Sequence, residues 1–283
     1  DRQSGKVERL NTRFAEAEKT LSPTVPFEFK ASDGRAIAGY LIRPRGAKGP
    51  VPLVVDIHGG PWVRDHWSPA TYNARQLLAN RGYAVMQVNY RGSSGYGREH
   101  MWAADRQTNG RVQQDIAEAV QWAVDQGVAD PQRLAVFGAS FGGFSVLAQL
   151  AQKRHDYRCG VNIVGVANWA RTMESWPAFW RNRHYFTRTY GDVNNPAERA
   201  EMLRQGVDPF AHNGDIGVLG QRLFDLCREY VAVDRHCATR RNARDFTGAD
   251  KVHAVGYCIG GTALAIYMAW AARHFGEEAV PVR

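Results

Sequence analysis

The chain has 283 residues, of which 44% are hydrophobic and 23% charged, and its net charge is +8. This composition is ordinary for a soluble globular protein, and the length allows one large domain or two small ones. No apolar run reaches the ~18 residues of a membrane-spanning helix, and the polar N-terminus, residues 1–6, has no signal-peptide core. We expect a cytoplasmic protein without a membrane partner, whose start lies upstream because the sequence does not begin with Met.

The positive charge does not indicate a nucleic-acid-binding protein. Lys and Arg are scattered except in Arg235–Arg244, which is typical of a solvated helix face, and no nucleic-acid-binding motif accompanies that run. The four cysteines form no CxxC pair, which predicts reduced thiols. The set Cys227, His236 and Cys237 matches no standard zinc spacing. Neither a metal nor a cofactor is therefore expected.

Strand and helix patterns alternate along most of the first 205 residues. Residues 1–22 form a polar lead-in, and two extended segments, Val25–Ala31 and Ala36–Arg43, then flank the turn pair Asp33–Gly34, which predicts a β-hairpin. The alternation that follows predicts a mostly parallel α/β sheet with helices on both faces. We expect strands at Pro52–Ile57, Tyr83–Asn89, Arg133–Gly138 and Cys159–Ala167, and helices at Thr71–Asn80, Val112–Gln126 (with Ile116, Ala119, Val120 and Ala123 on one face) and Phe144–Lys153.

The later part of the chain has a different character. Residues 168–190 are rich in Trp, Phe and Tyr, and this segment either lines a substrate pocket or packs a helical cap. Beyond Gln205 the alternation weakens, so residues 206–244 are interpreted as a junction. Residues 245–283 predict a separate unit in which the strand Val252–Tyr257 precedes the helix Thr262–His274.

The motif Gly138-Ala139-Ser140-Phe141-Gly142 carries the strongest functional signal. It follows an apolar strand and precedes a helix, which is the context of the G-x-S-x-G nucleophile elbow. In this turn, glycines on both sides let a serine hydroxyl project above the sheet. Ser140 is therefore the candidate catalytic nucleophile.

A serine nucleophile also needs donors for the oxyanion that it creates. We expect one donor from the backbone N–H of Phe141 and another from the oxyanion loop, residues 58–61 (His58-Gly59-Gly60-Pro61), which follows the Pro52–Ile57 strand. His58 precedes the nucleophile, whereas hydrolases of this type have the order serine, acid, histidine, so we assign it to the loop rather than to the base. Tyr96, in the glycine-rich loop Arg91–Gly97, is a further candidate for the oxyanion or substrate site.

At these residues the chain resembles the prolyl oligopeptidase family, nearest to its acylaminoacyl-peptidase-like branch. The resemblance extends over about residues 1–205 and implies an α/β-hydrolase fold and serine peptidase activity. Residues 4–11 resemble the end of the last blade of the family's N-terminal β-propeller, and the rest of the propeller is absent from the sequence. Small acyl esters, aminoacyl amides and short peptides are therefore the expected substrates. The matching segments are Phe29–Pro44, Asp56–Trp62, Asn89–Gly97, Asp115 with Trp122, Gly138–Gly143 and Trp176–Asp192.

The chain departs from this family in the residues that should complete the catalytic triad. Gly220-Gln221 followed by Asp225 aligns faintly with the family's acid segment, which makes Asp225 a tentative acid. No later residue matches the family's histidine segment. His253 is the tentative base, and the other late histidines are His236 and His274.

A second resemblance covers residues 245–282. This segment is similar to the elbow region of polyhydroxyalkanoate synthases, in which cysteine replaces serine, here in Gly256-Tyr257-Cys258-Ile259-Gly260. Cys258 is thus an alternative nucleophile. One hydrolase sheet has room for one elbow at its centre, so we expect a fold that is incomplete or chimeric at the C-terminal end, with a junction between about residues 205 and 245.

Three functions follow from these observations. The first is a serine hydrolase that cleaves acyl bonds through an acyl-enzyme on Ser140. The second is a catalytically impaired hydrolase-fold protein that only binds ligands or partners, because acid and histidine are not clearly present. The third is acyl transfer that depends on Cys258. An exposed sheet edge left by an incomplete fold would also favour oligomers.

Overall fold

A six-stranded sheet organises the part of the chain that the structure describes. The computed structural model describes residues 4–5, 20–67, 74–163, 165–176 and 184–206. Within these residues the strand order is β1-β2-β4-β3-β5-β6. The strands are β1 (Thr24–Lys30), β2 (Ala36–Ile42), β3 (Val51–Ile57), β4 (Ala84–Asn89), β5 (Ala129–Ala139) and β6 (Tyr157–Ile163).

The predicted hairpin and the mostly parallel sheet are both confirmed. β1 pairs antiparallel with β2, and the Gly34 N–H donates to the Ala31 carbonyl at 2.7 Å in the turn between them. Gly34 has a φ of 84°, a left-handed conformation that favours glycine. β2 is also antiparallel to β4, whereas β3 with β4, β3 with β5 and β5 with β6 are parallel. The carboxyl ends of β3, β5 and β6 therefore meet at one edge of the sheet.

Helices cover the sheet, and its central strand is inaccessible to solvent from either face. All six residues of β4 are buried, and since successive side chains of a strand point to opposite faces, both faces are covered. The longest described helix, α3 (Arg111–Asp125), buries the face that periodicity predicts, with Ile116, Ala119, Val120 and Ala123 fully inaccessible. The helices are α1 (Ala74–Asn80), α2 (Arg98–Trp102), α3 (Arg111–Asp125), α4 (Phe141–Ala151), α5 (Trp169–Glu174), α6 (His184–Thr189) and α7 (Pro196–Arg204).

Three predicted element boundaries are wrong. Helix α4 begins at Phe141 rather than Phe144, because the glycines that resemble a turn are part of its first helical turn. Strand β5 begins at Ala129, four residues before the predicted start. Strand β6 spans Tyr157–Ile163 and is mostly accessible instead of buried, with Ile163 39% exposed. Its only neighbour among the described strands is β5, and an apolar run does not distinguish an edge strand from a central one.

Several predicted elements lie outside the described residues. These are most of the lead-in before residue 20, the start of the Thr71–Asn80 helix, the junction, and the Val252–Tyr257 strand with the helix that follows it. Among the described helices, none is long and apolar enough to cross a membrane. Cys159 is a half-buried free thiol, and the other three cysteines belong to the part that is not described.

Candidate active site

Ser140 lies at the turn where β5 ends and α4 begins. Its φ of 57° and ψ of −118° are unusual for a residue other than glycine, and such strain is concentrated at functional turns. The Ser140 N–H donates to the Ile163 carbonyl at 2.9 Å, and the Ser140 carbonyl accepts from the Phe144 N–H at 3.0 Å. Ser140 is nevertheless an exposed residue. A main chain held on both sides at an exposed strand-to-helix turn is the geometry of a nucleophile elbow.

The two flanking glycines are required by close contacts between main-chain segments. A Cβ atom built at Gly142 would overlap the carbonyl oxygen of Ile57, at the end of β3. A Cβ at Gly138 would overlap the Gly142 carbonyl in the same way. The G-x-S-x-G pattern is therefore explained here by the distance between α4 and the ends of the neighbouring strands.

The N-terminus of α4 provides donors beside Ser140. Phe141 is the first residue of the helix, and an N–H at this position has no acceptor within the helix. The aligned peptide dipoles of α4 also favour negative charge at this end. The ring of Phe141 is fully buried and packs 5.8 Å from Tyr90, so the main chain that carries the N–H is fixed by the core.

The oxyanion loop touches the elbow. A Cβ built at Gly59 would lie 3.2 Å from the Ala139 carbonyl oxygen and 3.5 Å from Ser140 Cβ, so the loop is in close contact with the elbow and a larger residue would fit only tightly. Gly60 has a φ of 116°, which L side chains rarely adopt. The structure thus brings Ser140, Phe141 and the glycines of the loop together, as the sequence predicts.

His58 makes its contacts within the loop and with β4. Its Nδ1 donates to the Gly59 carbonyl at 2.7 Å, and its Nε2 lies 3.0 Å from Ser93 Oγ. The ring stacks on Tyr90 with centroids 4.3 Å apart. Burial lowers the pKa of His58, so the imidazole is neutral near pH 7. Both ring nitrogens already have partners other than Ser140, which supports a role in the loop rather than as the base.

The aromatic segment packs onto the loop and the elbow. Trp169 and Tyr190 stack at 3.8 Å, and both are buried. Tyr190 lies 6.5 Å from the Phe141 ring and 5.9 Å from Trp62, which directly follows the loop. Of the two interpretations of residues 168–190, these contacts favour packing for Trp169 and Tyr190. Tyr185 is 42% exposed and still able to contact a ligand.

Tyr96 makes its contacts with residues that were not predicted to belong to the site. Its hydroxyl accepts from Asn89 Nδ2 at 2.9 Å, and its ring contacts His100 and the Arg64 guanidinium. In the described part of the chain no hydrogen bond or ring contact joins Tyr96 to Ser140. Its role in substrate binding stays a prediction.

The acid and the base also stay predictions. Two described histidines that could be considered are engaged elsewhere, His100 Nε2 with the Tyr90 carbonyl at 3.1 Å and His155 Nε2 with the Ala117 carbonyl at 2.8 Å. No hydrogen bond links any described histidine to Ser140, and no described set of three His, Cys, Asp or Glu side chains could hold a metal. The candidates Asp225, His236, His253, Cys258 and His274 lie outside the described residues.

A buried ion pair next to the site was not predicted from the sequence. Arg91 Nη2 donates to Asp115 Oδ1 at 2.6 Å, and the Arg91 N–H and Nε both donate to Asp115 Oδ2. Arg91 Nη1 reaches Asp33 Oδ2 at 2.8 Å. Asp115 directly precedes Ile116, which lies on the apolar face of α3. A charged residue beside such a face needs a partner when it is buried, and this was the signal in the sequence that could have revealed the pair. We call Arg91, Asp115 and Asp33 the charged network.

Comparison with known proteins identifies this arrangement. The model of the prolyl oligopeptidase family matches residues 69–206, a span that includes the elbow, Arg91 with Asp115, and α5 to α7. Over residues 69–206 the chain is therefore similar to the prolyl oligopeptidase family. The chain is also 39% identical over 189 residues to dipeptidyl aminopeptidase BIII of Pseudoxanthomonas mexicana, covering 64% of this chain and 27% of that relative.

Solved structures of peptidases share the fold. A puromycin-hydrolyzing peptidase of Mycobacterium tuberculosis superposes with a TM-score of 0.57 at 27% identity, covering 66% of this chain and 29% of that one. The acylaminoacyl peptidase of Pyrococcus horikoshii gives a TM-score of 0.58 at 25% identity, covering 70% and 32%. The chain thus has the α/β-hydrolase fold of prolyl oligopeptidase family members, and it spans less than a third of the length of these three proteins.

Proposed function

We propose that this chain is a serine hydrolase of the peptidase type, in which Ser140 attacks the carbonyl carbon of an acyl substrate. The observation that carries the proposal is the contact between the elbow and the oxyanion loop, with Gly59 directly beside Ser140. A nucleophile and backbone donors next to one another are two of the parts that acyl transfer requires, and the third is a base.

The reaction follows from these positions. A base removes the Ser140 hydroxyl proton as Oγ bonds to the carbonyl carbon, and the carbonyl oxygen becomes an oxyanion that accepts from the Phe141 N–H and the loop. Collapse of this intermediate breaks the bond to the leaving amine or alcohol, which takes the proton from the base. Water then attacks the acyl-enzyme in the same way, releasing the acid and restoring Ser140.

The base and its acid partner are proposed to come from residues after 206. In hydrolases of this fold both follow the serine in the chain. Asp225 is the proposed acid and His253 the proposed base, with His236 and His274 as the alternatives. This assignment rests on sequence order and on the faint alignment at Gly220-Gln221.

The proposed substrates are short peptides, aminoacyl amides and small acyl esters. Supporting this class, the similar proteins include a dipeptidyl aminopeptidase, a puromycin-hydrolyzing peptidase and an acylaminoacyl peptidase. A second candidate function is binding without catalysis, because the sequence after Ser140 has no clear match to the family's acid and histidine segments. Acyl transfer by Cys258 rests on the local resemblance alone.

Labelling with a fluorophosphonate probe tests the proposal, because such probes react with serines that a base activates. We expect stoichiometric modification located at Ser140 by mass spectrometry. Ser140→Ala should abolish both labelling and ester hydrolysis, while Ser32→Ala, an exposed serine in the β1–β2 turn, should change neither. A folded wild-type protein that is not labelled would favour binding without catalysis. Turnover that survives Ser140→Ala but not alkylation of Cys258 would favour the cysteine.

A further inference from the structure

A polar cavity with a volume of about 490 Å³ lies beside the turn between β1 and β2. The small side chains of Ala36 and Ala38 leave room for it, because alternate residues of a strand point to the same face. Glu28 is the partner of Ala38 across the β1–β2 ladder, so its side chain lies on that face as well. The larger side chains around the cavity are Glu28, Asp33, Arg35, Tyr96, Glu99 and His100, and we call it the acidic cavity.

The acidic cavity is negatively charged, although the chain as a whole has a net charge of +8. Glu28, Asp33 and Glu99 supply three carboxylates, and a single guanidinium, that of Arg35, leaves a net charge of −2. Arg35 Nη2 lies 3.5 Å from Glu99 Oε1, which is long for a charge-assisted hydrogen bond. Asp33 belongs to the charged network, in which one guanidinium serves two carboxylates. Glu28 is exposed, and no hydrogen bond or ion pair joins it to another described residue. The protein therefore neutralises these carboxylates only in part.

A buried histidine in the wall of the cavity has an acceptor without a partner. His100 is only 6% exposed, and its Nε2 lies 3.1 Å from the Tyr90 carbonyl, so Nε2 carries a hydrogen. Burial lowers the pKa of His100, so the ring is neutral near pH 7 and Nδ1 is bare. No described residue donates a hydrogen bond to this Nδ1. Buried polar groups are normally bonded, and because His100 lines the cavity, a ligand with an N–H group would supply the missing donor.

Tyr96 adds an aromatic ring to the same cavity. Its hydroxyl is occupied by Asn89 Nδ2, and the residue is 36% exposed. The Arg64 guanidinium lies 5.8 Å from the ring centroid, which shows that the electron-rich ring attracts a cation in this place. Apart from Arg35, which is paired with Glu99, every large side chain around the cavity is thus of a kind that binds an ammonium or guanidinium group.

The acidic cavity lies at the edge of the sheet that carries the elbow. β2 is antiparallel to β4 and Ala38 is paired with Asn89, so the turn before β2 is at the carboxyl end of β4. The strand order β2-β4-β3-β5 puts three strand intervals between this turn and Ser140. At about 4.8 Å for each interval the separation along the sheet is about 14 Å. An extended peptide covers this distance in about four residues.

We propose that the acidic cavity is a second binding point for a peptide substrate and takes a positively charged group about four residues from the bond that Ser140 cleaves. The group is an ammonium or a guanidinium, carried by a Lys or Arg side chain or by the N-terminus of the peptide. This inference rests on the proposed function for the position of the cleaved bond. The binding of the cation itself depends only on the cavity, so it can be measured without turnover.

Peptide binding to the Ser140→Ala protein, followed by NMR titration, tests the cavity. The probes are acetyl-Lys-Gly-Gly-Ala-amide, the same peptide with Gln in place of Lys, and the Gln peptide without its acetyl group. An exposed ion pair changes an equilibrium by a factor of about two to five, and with three carboxylates at the cavity we expect the Lys peptide to bind about tenfold more tightly than the acetylated Gln peptide. If the unacetylated Gln peptide gains as much, the N-terminus is also a ligand. Equal affinity of all three peptides would overturn the inference.

Substitutions locate the binding. Glu28→Gln removes a carboxylate that has no described partner, so the protein should stay folded and the preference for Lys over Gln should fall about threefold. The matched control is Asp156→Asn, an exposed carboxylate next to β6 at the other end of the sheet, which should leave the preference unchanged. His100→Gln keeps an N–H near the position of Nε2 but removes the Nδ1 acceptor, and it should also weaken the Lys peptide. The same preference in Glu28→Gln and Asp156→Asn would overturn the assignment to this cavity.

Two further measurements separate this inference from the proposed function. Raising the salt concentration should reduce the preference for the Lys peptide, because salt screens charges at an open cavity. A preference that does not depend on salt would contradict a cation site. If wild-type protein shows no Ser140-dependent turnover, the proposed function fails by itself, and the binding preference of Ser140→Ala still decides whether the cavity takes a cation. Turnover of peptides without any preference for a cation, in binding or in kcat/KM, would overturn the inference alone.

Discussion

Two neighbouring residues, Tyr90 and Arg91, leave the same end of β4 and enter two different polar networks. Tyr90 forms, with His58 and Ser93, what we call the neutral network, in which the Tyr90 hydroxyl donates to the His58 carbonyl of the oxyanion loop. Arg91 belongs to the charged network, which joins the end of β4 to α3 and to the turn between β1 and β2. Both are almost completely buried, Tyr90 at 0% and Arg91 at 4% exposure.

The two networks differ in how much free energy of unfolding is lost when each is broken. A buried charge that loses a partner keeps the cost of its desolvation with less attraction to offset it, so breaking the charged network should strongly destabilise the folded protein. A buried hydroxyl costs far less to remove, so changing the neutral network should leave a folded protein with misdirected loop peptides. One strand end thus contributes to stability through one residue and to the geometry of the site through the next.

The largest expected effect is on the charged network. Asp115→Ala leaves Arg91 buried and deprives it of its bidentate partner, and we expect a loss of about 3–5 kcal/mol in the free energy of unfolding. Chemical denaturation followed by circular dichroism measures it. Asp156→Ala, which removes a solvent-exposed pair with Arg158 at 3.4 Å, is the control and should change little. Equal stability of the two variants would contradict the separation of the networks.

A smaller effect is expected in the neutral network. Ser93→Ala leaves His58 Nε2 without its partner and should cost about 1–3 kcal/mol in the free energy of unfolding. The bonds to the His58 and Gly59 carbonyls remain, so kcat should fall less than in Tyr90→Phe. Steady-state kinetics at a temperature where both variants are folded makes the comparison. If kcat were lower for Ser93→Ala than for Tyr90→Phe, the contact of Ser93 with His58 Nε2 would be more important than the bond from Tyr90 to the His58 carbonyl.

The smallest effect concerns the accessible end of the charged network. The hydrogen bond from Arg91 lowers the pKa of Asp33 from 3.8 to about 2. A carboxyl with a lowered pKa contributes stability that is fully present above its unfolded pKa and is lost as the pH falls through the folded value. The difference in unfolding free energy between wild type and Asp33→Asn should therefore be constant from pH 5 to 7 and shrink between about pH 4 and 2. A difference that does not depend on pH in that window would show that Asp33 has no ionic role.

Most of the strands could be predicted because each is a local pattern. The apolar run that predicts Pro52–Ile57 and the periodicity of Ile116, Ala119, Val120 and Ala123 depend on residues close in sequence, and both are found as expected. The start of α4 was predicted too late, because Gly142 is required by a close approach to Ile57, 85 positions earlier, and not by a turn. The accessibility of β6 depends in the same way on which strands surround it.

In the candidate site, too, local motifs could be predicted and contacts between residues distant in sequence could not. Ser140, Phe141 and the oxyanion loop are contained in short motifs, so their juxtaposition follows from the ends of parallel strands meeting at one edge. The partners of His58 could not be predicted from the oxyanion loop itself, since Tyr90 is 32 and Ser93 35 positions away. The acid and the base could not be predicted in this way. Their candidates follow residue 205, and the sequence there resembles two different families in different segments.

The contact between Gly142 and Ile57 has a mechanical consequence. It joins main chain to main chain, with no side chain between α4 and β3 that could yield to a displacement. A movement of the helix that carries the nucleophile must therefore move the strand from which the oxyanion loop emerges. On heating, the nucleophile and its oxyanion donors should keep their spacing up to the temperature at which the sheet itself melts, and activity should then be lost in a single step.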